Sequence, residues 1–200
     1  MSLFLVDTDT PGFVVSRKLD KVGCRASDTA EIFFEDMVIP DEALLGEEGR
    51  GFYNIMWELQ GERLIGSALA IAGAKLTLEG AIAYTKERVQ FGKPICKNQA
   101  IAHRLADLAT KIEAAQALIY LTTWKVDQGE YPVKEISMAK LIGTRVAFQV
   151  TDEALQIMGG YGYMMEYPAQ KAWRDMRIAR IGGGTDEIMR EIIATTMGLY

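Results

Sequence analysis

The 200-residue sequence has one histidine, His103, two cysteines, Cys24 and Cys96, and five prolines. None of these stands at metal-ligand spacing, so neither a zinc site nor a disulfide framework is expected. A surplus of positive charge is missing too: 22 Lys and Arg stand against 27 Asp and Glu, for a net charge of −5. A nucleic-acid binder would present a basic face to phosphates, so no nucleic-acid partner is expected. A local basic pocket for an anionic ligand stays open. No apolar run reaches the length of a membrane span and no signal peptide is visible, so no membrane partner is expected either. What the chain does have is an ordinary globular content of 49% apolar residues, with 19 glycines. Its length suits one medium domain, with or without a short appendage.

The pattern changes near residue 50. Before it, Leu3 to Val6, Gly12 to Ser16 and Glu31 to Glu35 read as strands, and Asp9-Thr10-Pro11-Gly12 reads as a turn between the first two. Three strands are too few to bury both faces of a sheet. Residues 1–48 therefore read as the end of a β-domain, and residues 49–200 as a helical domain. In the latter, helices are expected from Phe52 to Arg88, Asn98 to Gln128 and Val133 to Met158. A short one should cover Pro168 to Arg177, and the last should follow the N-cap Thr185 with Ile188, Ile192 and Thr196 inward. Ile101, Leu105, Leu108, Ile112, Ala115, Ile119 and Thr122 form one stripe on the second. Gly61, Gly66, Gly73 and Gly80 in the first cost helix stability and so imply close contacts. The fold class is mainly α: an up-and-down four-helix bundle preceded by a remnant of a β-domain.

Three segments stand out. Arg88-Val-Gln-Phe-Gly-Lys-Pro joins the first two helices. Alone it reads first as a helix end with a basic cap; its functional reading is a clamp on a pyrophosphate. Gln156-Ile-Met-Gly-Gly-Tyr-Gly-Tyr is either a helix cap with a turn or a backbone kept bare for a large ligand. Gly182-Gly-Gly-Thr-Asp-Glu-Ile is either a flexible loop or a set of bare amides ahead of a helix, suited to a carbonyl or anion. Periodicity alone decides none of the three.

In order and spacing, however, the segments resemble one family. From about residue 4 to its end the chain resembles the acyl-CoA dehydrogenases, and at the final loop their long-chain and isovaleryl-type members. The tracts RVQFGKPI with Gln99, QIMGGYGYMMEYPAQKAWRD and IGGGTDEIMREII carry the resemblance, and the early tract DTDTPGFVVSRKLDKVGCRASDTAEIFFEDMVIP resembles the closing strands of the family's middle β-domain. The resemblance implies an FAD-dependent oxidation of an acyl-CoA thioester to trans-2-enoyl-CoA. A base removes the Cα proton, and a hydride passes from Cβ to flavin N5. Electrons then leave to an electron-transferring flavoprotein. The resemblance also implies a homodimer or homotetramer, located in the cytoplasm, or in the mitochondrial matrix of a eukaryote. Residue by residue, Arg88, Gln90, Phe91, Gln156 and Gly160 would touch the FAD of a neighbouring subunit. Gln99 and Gly159 fall in the same cofactor-binding set, and Thr185 and Glu187 would meet the adenosine side. The amide of Gly183 or Gly184 would bind the thioester carbonyl, Arg63 would sit near the acyl-CoA, and His103 has no role.

One position departs from the commoner pattern. Many members have Tyr-Glu-Gly-Thr at the final loop, where the glutamate is the base; here Gly182, Gly183, Gly184 and Thr185 stand instead. The second arrangement in the family places the base on the first long helix, before an arginine, which is Glu62 in Gly61-Glu62-Arg63. Such a carboxylate serves if burial raises its pKa toward working pH. Otherwise Glu62 is a solvated helix residue. A complete family member is about twice this length, and the remainder carries the flavin-ring contacts. The chain is therefore expected to be a fragment, a separate domain or one product of a split gene, with weak FAD binding and little turnover alone. Two alternatives remain: a non-catalytic oligomerisation module, and an acyl-CoA oxidase-type enzyme that passes electrons to oxygen.

Overall fold

The computed structural model describes residues 1–200 and is mainly helical. The chain divides into two compact units, Met1–Leu59 and Gln60–Tyr200.

The first unit carries the strands. β1 (Leu3–Phe4) pairs antiparallel with β4 (Leu44–Leu45), and β2 (Phe13–Lys18) with β3 (Ala30–Phe34). In the second ribbon Phe13 lies opposite Phe34 and Val15 opposite Ile32. Val15, Ile32, Phe33 and Phe34 are all exposed. A two-stranded ribbon leaves both faces uncovered, as expected of a remnant of a larger sheet. The turn at Asp7–Phe13 forms, with Thr10 N–H donating to Asp7 and Phe13 N–H to Thr10. It does not close a hairpin between the first two strands, because β1 spends its hydrogen bonds on β4. That two-residue strand is too short to leave an alternation in the sequence.

α1 (Gly51–Glu87) is the longest element, and the division between the units falls inside it. A small hairpin follows, β5 (Val89–Gln90) with β6 (Lys93–Pro94), then α2 (Gln99–Asp127) and α3 (Val133–Met158). α4 (Gly160–Tyr163) occupies a stretch that reads as a turn; α5 (Pro168–Met176) and α6 (Asp186–Thr196) complete the fold. The expected stripe on α2 is its buried face from Leu105 to Thr122, with Ile101 half-buried. It packs on Ala70, Ala74 and Leu78 of α1 and on Ala147, Val150 and Ala154 of α3. α5 and α6 lie against α3.

Two expectations about faces need correcting. A Cβ added at Gly61, Gly66 or Gly80 would meet nothing within 4 Å, and at Gly73 only Met176 Cε at 3.5 Å. The close helix approach is elsewhere: a Cβ on Gly143 of α3 would lie 3.2 Å from Ser67 Cβ of α1. On α6, Asp186 and Met189 are buried, whereas Ile188 and Thr196 are exposed and Ile192 is half-buried. Asp186 accepts from Arg180 Nε at 3.0 Å and Nη2 at 2.6 Å. That pairing turns the Asp186 face inward and carries Met189, three residues on, into the core.

The expectation that no stretch is apolar enough to span a membrane also needs qualifying. By length and composition α1 is sufficient, with mean hydropathy 1.3 over 18 residues, one third of them buried. Its apolarity lies in small Ala and Gly residues interspersed with polar ones, so no block of large side chains shows. Lys75, inside the helix, pairs with Glu113 of α2 at 3.0 Å, as in a helix packed in a bundle.

Candidate active site and cofactor groove

The Gly143–Ser67 approach has a positional consequence. One turn N-terminal to each contact residue stands a cation, Arg63 on α1 and Lys140 on α3, and both are almost fully buried. Both serve the loop before α6. Arg63 Nε donates to Gly183 O at 2.8 Å, and Lys140 Nζ donates to Gly184 O. Burial pushes the Arg63 guanidinium down from its ordinary value, partly offset by Glu62 and Tyr131. Burial likewise lowers Lys140, with Asp186 the main opposing influence, Arg63 adding to the lowering and Glu62 opposing it. The Nη1 atom of Arg63 is buried without a hydrogen-bond partner.

Gly183 and Gly184 have φ of +64° and +111°, the region that favours glycine. Their N–H groups have no backbone acceptor. A Cβ on Gly183 would lie 3.3 Å from Glu62 Oε1, so the Glu62 carboxylate sits where a loop side chain would otherwise stand. Glu62 itself is exposed, so residues 60–200 do not supply the burial expected around it. The loop passes directly into α6. Thr185 Oγ1 accepts from Ile188 N–H at 3.3 Å, the expected N-cap. Hydrogen bonds from its own backbone amide and then from Thr185 hold the exposed Glu187 carboxyl below its ordinary range. Glu62, Arg63, Lys140, Gly183, Gly184 and Thr185 thus form one cluster: a carboxylate, two buried cations and a run of unpaired amides.

A second cluster gathers at the other end of α1. Arg88, Gln90, Gly159 and Gly160 line a groove of about 620 Å³ with Tyr84, Ile157 and Tyr161. The Arg88 guanidinium lies 5.4 Å from the Tyr161 ring centroid. The β5–β6 hairpin fixes its backbone, with Ile95 N–H donating to Arg88 O at 2.9 Å. Gly159 ends α3 at φ +61°, and a Cβ there or on Gly160 would meet nothing. Phe91 stands 96% exposed at the hairpin tip. Gln99 is exposed on the first turn of α2 and Gln156 on the last turn of α3. A guanidinium, bare backbone and aromatic faces suit a dinucleotide, whose pyrophosphate and rings need those three surfaces.

The two clusters are far apart. Twenty-six residues separate Glu62 from Arg88, about 39 Å at the helical rise of ~1.5 Å per residue. One dinucleotide held at Arg88 cannot also reach Glu62 of the same chain. Sequence reasoning missed Lys140 and Asp186. The available signal was a lysine in the inward face of α3, four residues after Ile136 and three before Gly143, where an apolar residue is the norm.

The family model described as "Acyl-CoA dehydrogenase, C-terminal domain" matches residues 49–198. The chain is 44% identical over 199 residues to the mitochondrial long-chain specific acyl-CoA dehydrogenase of Mus musculus, covering 97% of this chain and 45% of that one. It is 43% identical over 188 residues to the short-chain specific acyl-CoA dehydrogenase of Megasphaera elsdenii, covering 94% and 49%. Among solved structures, the FAD complex of PigA superposes with a TM-score of 0.94 at 33% identity, covering 99% of this chain and 52% of that one. The chain spans about half the length of the relatives it matches.

Proposed function

The chain belongs to the acyl-CoA dehydrogenase family, and from that premise we propose that it forms the carboxy-terminal part of an enzyme that oxidises acyl-CoA thioesters to trans-2-enoyl-CoA. The observation that carries the reading is the placement of the Glu62 carboxylate against the Gly182–Gly184 loop, in the space a loop side chain would take. Glu62 takes the proton from Cα. The unpaired amides of the loop stabilise the negative charge that then develops on the thioester oxygen. Arg63 adds buried positive charge beside both. FAD, when bound, supplies the acceptor for the Cβ hydride. Arg88, Gln90, Phe91, Gln99, Gln156, Gly159 and Gly160 hold a neighbouring subunit's cofactor, and Thr185 and Glu187 meet the adenosine side of the cofactor at their own site beside Glu62. The ~39 Å between the two clusters supports this division of labour and a homodimer or homotetramer.

The helical domain begins near residue 49, ahead of α1, and residues 1–48 close a β-domain. The electron-transferring flavoprotein is the electron acceptor, and the enzyme works in the cytoplasm, or in the matrix of a mitochondrion. Similar identities to long-chain and short-chain relatives leave the acyl length open. The test is to supply the FAD-loaded full-length protein with acyl-CoA and an electron acceptor under air. Enoyl-CoA without peroxide is expected. Stoichiometric peroxide would mark an oxidase, and no enoyl-CoA with any chain length would sink the catalytic reading.

A second reading, an assembly module without catalysis, draws on the exposed apolar residues of α1 and α2: Ile65, Leu69 and Leu76, and Tyr120, Leu121 and Trp124. Such surfaces suit subunit contacts. The same assay separates it, because a module gives an oligomer without product.

A further inference from the structure

We propose that Lys140 is a positioning residue that, through the carbonyl of Gly184, aims and polarises the Thr185 N–H as a further donor beside the Gly183 and Gly184 amides. The inference rests on the reading of that loop as the site of the thioester oxygen. It follows from the planarity of the peptide bond. In a trans peptide the C=O of one residue and the N–H of the next point in opposite directions in one plane. Arg63 Nε holds Gly183 O at 2.8 Å, which fixes the direction of the Gly184 N–H. Lys140 Nζ holds Gly184 O, which fixes the direction of the Thr185 N–H. Two buried cations thus orient two successive amides from behind. A carbonyl that accepts from a cation also makes the N–H on the other side of its peptide a stronger donor.

The charge partner of Lys140 inside the protein is the buried Asp186. Lys140 lies on the inward face of α3 beside Ile136 and Gly143, and it is 3% exposed. A buried ammonium is costly and persists where its partners offset that cost; removing it alone leaves those partners unpaired. Asp186 is shared, since it already pairs with Arg180 at 2.6 Å. The one hydrogen bond that Lys140 Nζ donates goes to the loop. Glycines at positive φ give this loop little stiffness of its own, so its carbonyls need an external hold.

The test uses the FAD-loaded holoenzyme with Lys140→Met, Lys140→Gln and Lys140→Arg. In Lys140→Met the amides of residues 182–188 should exchange with solvent about 10-fold faster. Those of α2 from Leu105 to Thr122 should lose far less protection than the loop, although Tm falls because Gly184 O and Asp186 each lose a partner. Enoyl-CoA formation should fall about 10- to 100-fold in kcat with KM nearly unchanged, less than the ~10²–10³ typical of deleting an oxyanion donor. Lys140→Arg should restore most of both effects. If Lys140→Met does not fold, Lys140→Gln, which keeps a donor and drops the charge, should show an intermediate loosening of the loop. Unchanged loop exchange in whichever of these variants folds overturns the proposal. A uniform loss of protection across α2 and the loop does so as well, since it marks a merely structural lysine. Hydrogen exchange does not depend on turnover. An active Glu62→Gln enzyme would therefore refute the base assignment while leaving this readout to stand or fall separately.

Discussion

The crowding of Glu62 Oε1 against Gly183 makes the two positions interdependent. A methyl group at residue 183 would stand 3.3 Å from that oxygen and would have to be held at φ +64°. Left-handed backbone costs a non-glycine residue about 1–2 kcal/mol. Gly183→Ala should therefore lower stability by about that amount and displace the carboxylate, so that thermal unfolding and the rate of enoyl-CoA formation fall together. The pairing of Glu62 with residue 183 was suggested by the family resemblance, which sets Gly-Glu-Arg on the first helix against a glycine in the final loop. The exposure of Glu62 was not, since the burial of a single carboxylate depends on what packs around it. Lys140 was illegible for the converse reason: its role is a contact with Gly184, 44 residues away, and no periodicity encodes that.

Among the elements, α2 follows its apolar stripe, which marks its buried face from Leu105 to Thr122. α6 does not, because the Arg180–Asp186 pair outweighs Ile188 and Ile192 in setting its rotation. The join between α2 and α3 rests on another ion pair. Lys125 Nζ, near the end of α2, donates to Glu135 Oε1 at 2.8 Å, in the first turn of α3. That hydrogen bond holds the Glu135 carboxyl below its ordinary value of 4.5, against the opposing effect of burial. A carboxyl depressed in the folded state stabilises above its unfolded pKa, and that stability is lost as pH falls through the folded value. Glu135→Gln should therefore be less stable than the parent near neutrality. It should also show a flatter loss of stability below pH 4.5, which denaturant titrations across that range would measure.

At the scale of the molecule, the long α1 separates two chemistries, one at Glu62 within it and one at Arg88 just past its last residue. The bundle was readable from helix lengths and stripes. The distance between the clusters was readable as well, since the helical rise is constant. The division of labour predicts complementation. A full-length Arg88→Ala protein should lose FAD affinity, and Glu62→Gln should bind FAD and lack turnover. A heterodimer of the two should regain activity in one of its two sites, because a base and a clamp from different chains meet there.

The central claim is that the proton leaves Cα to Glu62 and not to a group on the final loop. The direct measurement is deuterium uptake at Cα of acyl-CoA from heavy water, by the FAD-loaded full-length enzyme and its Glu62→Gln variant at equal flavin content. The account predicts a fall of about 10²- to 10⁴-fold on removing the base. Exchange at the parent rate in Glu62→Gln would contradict it.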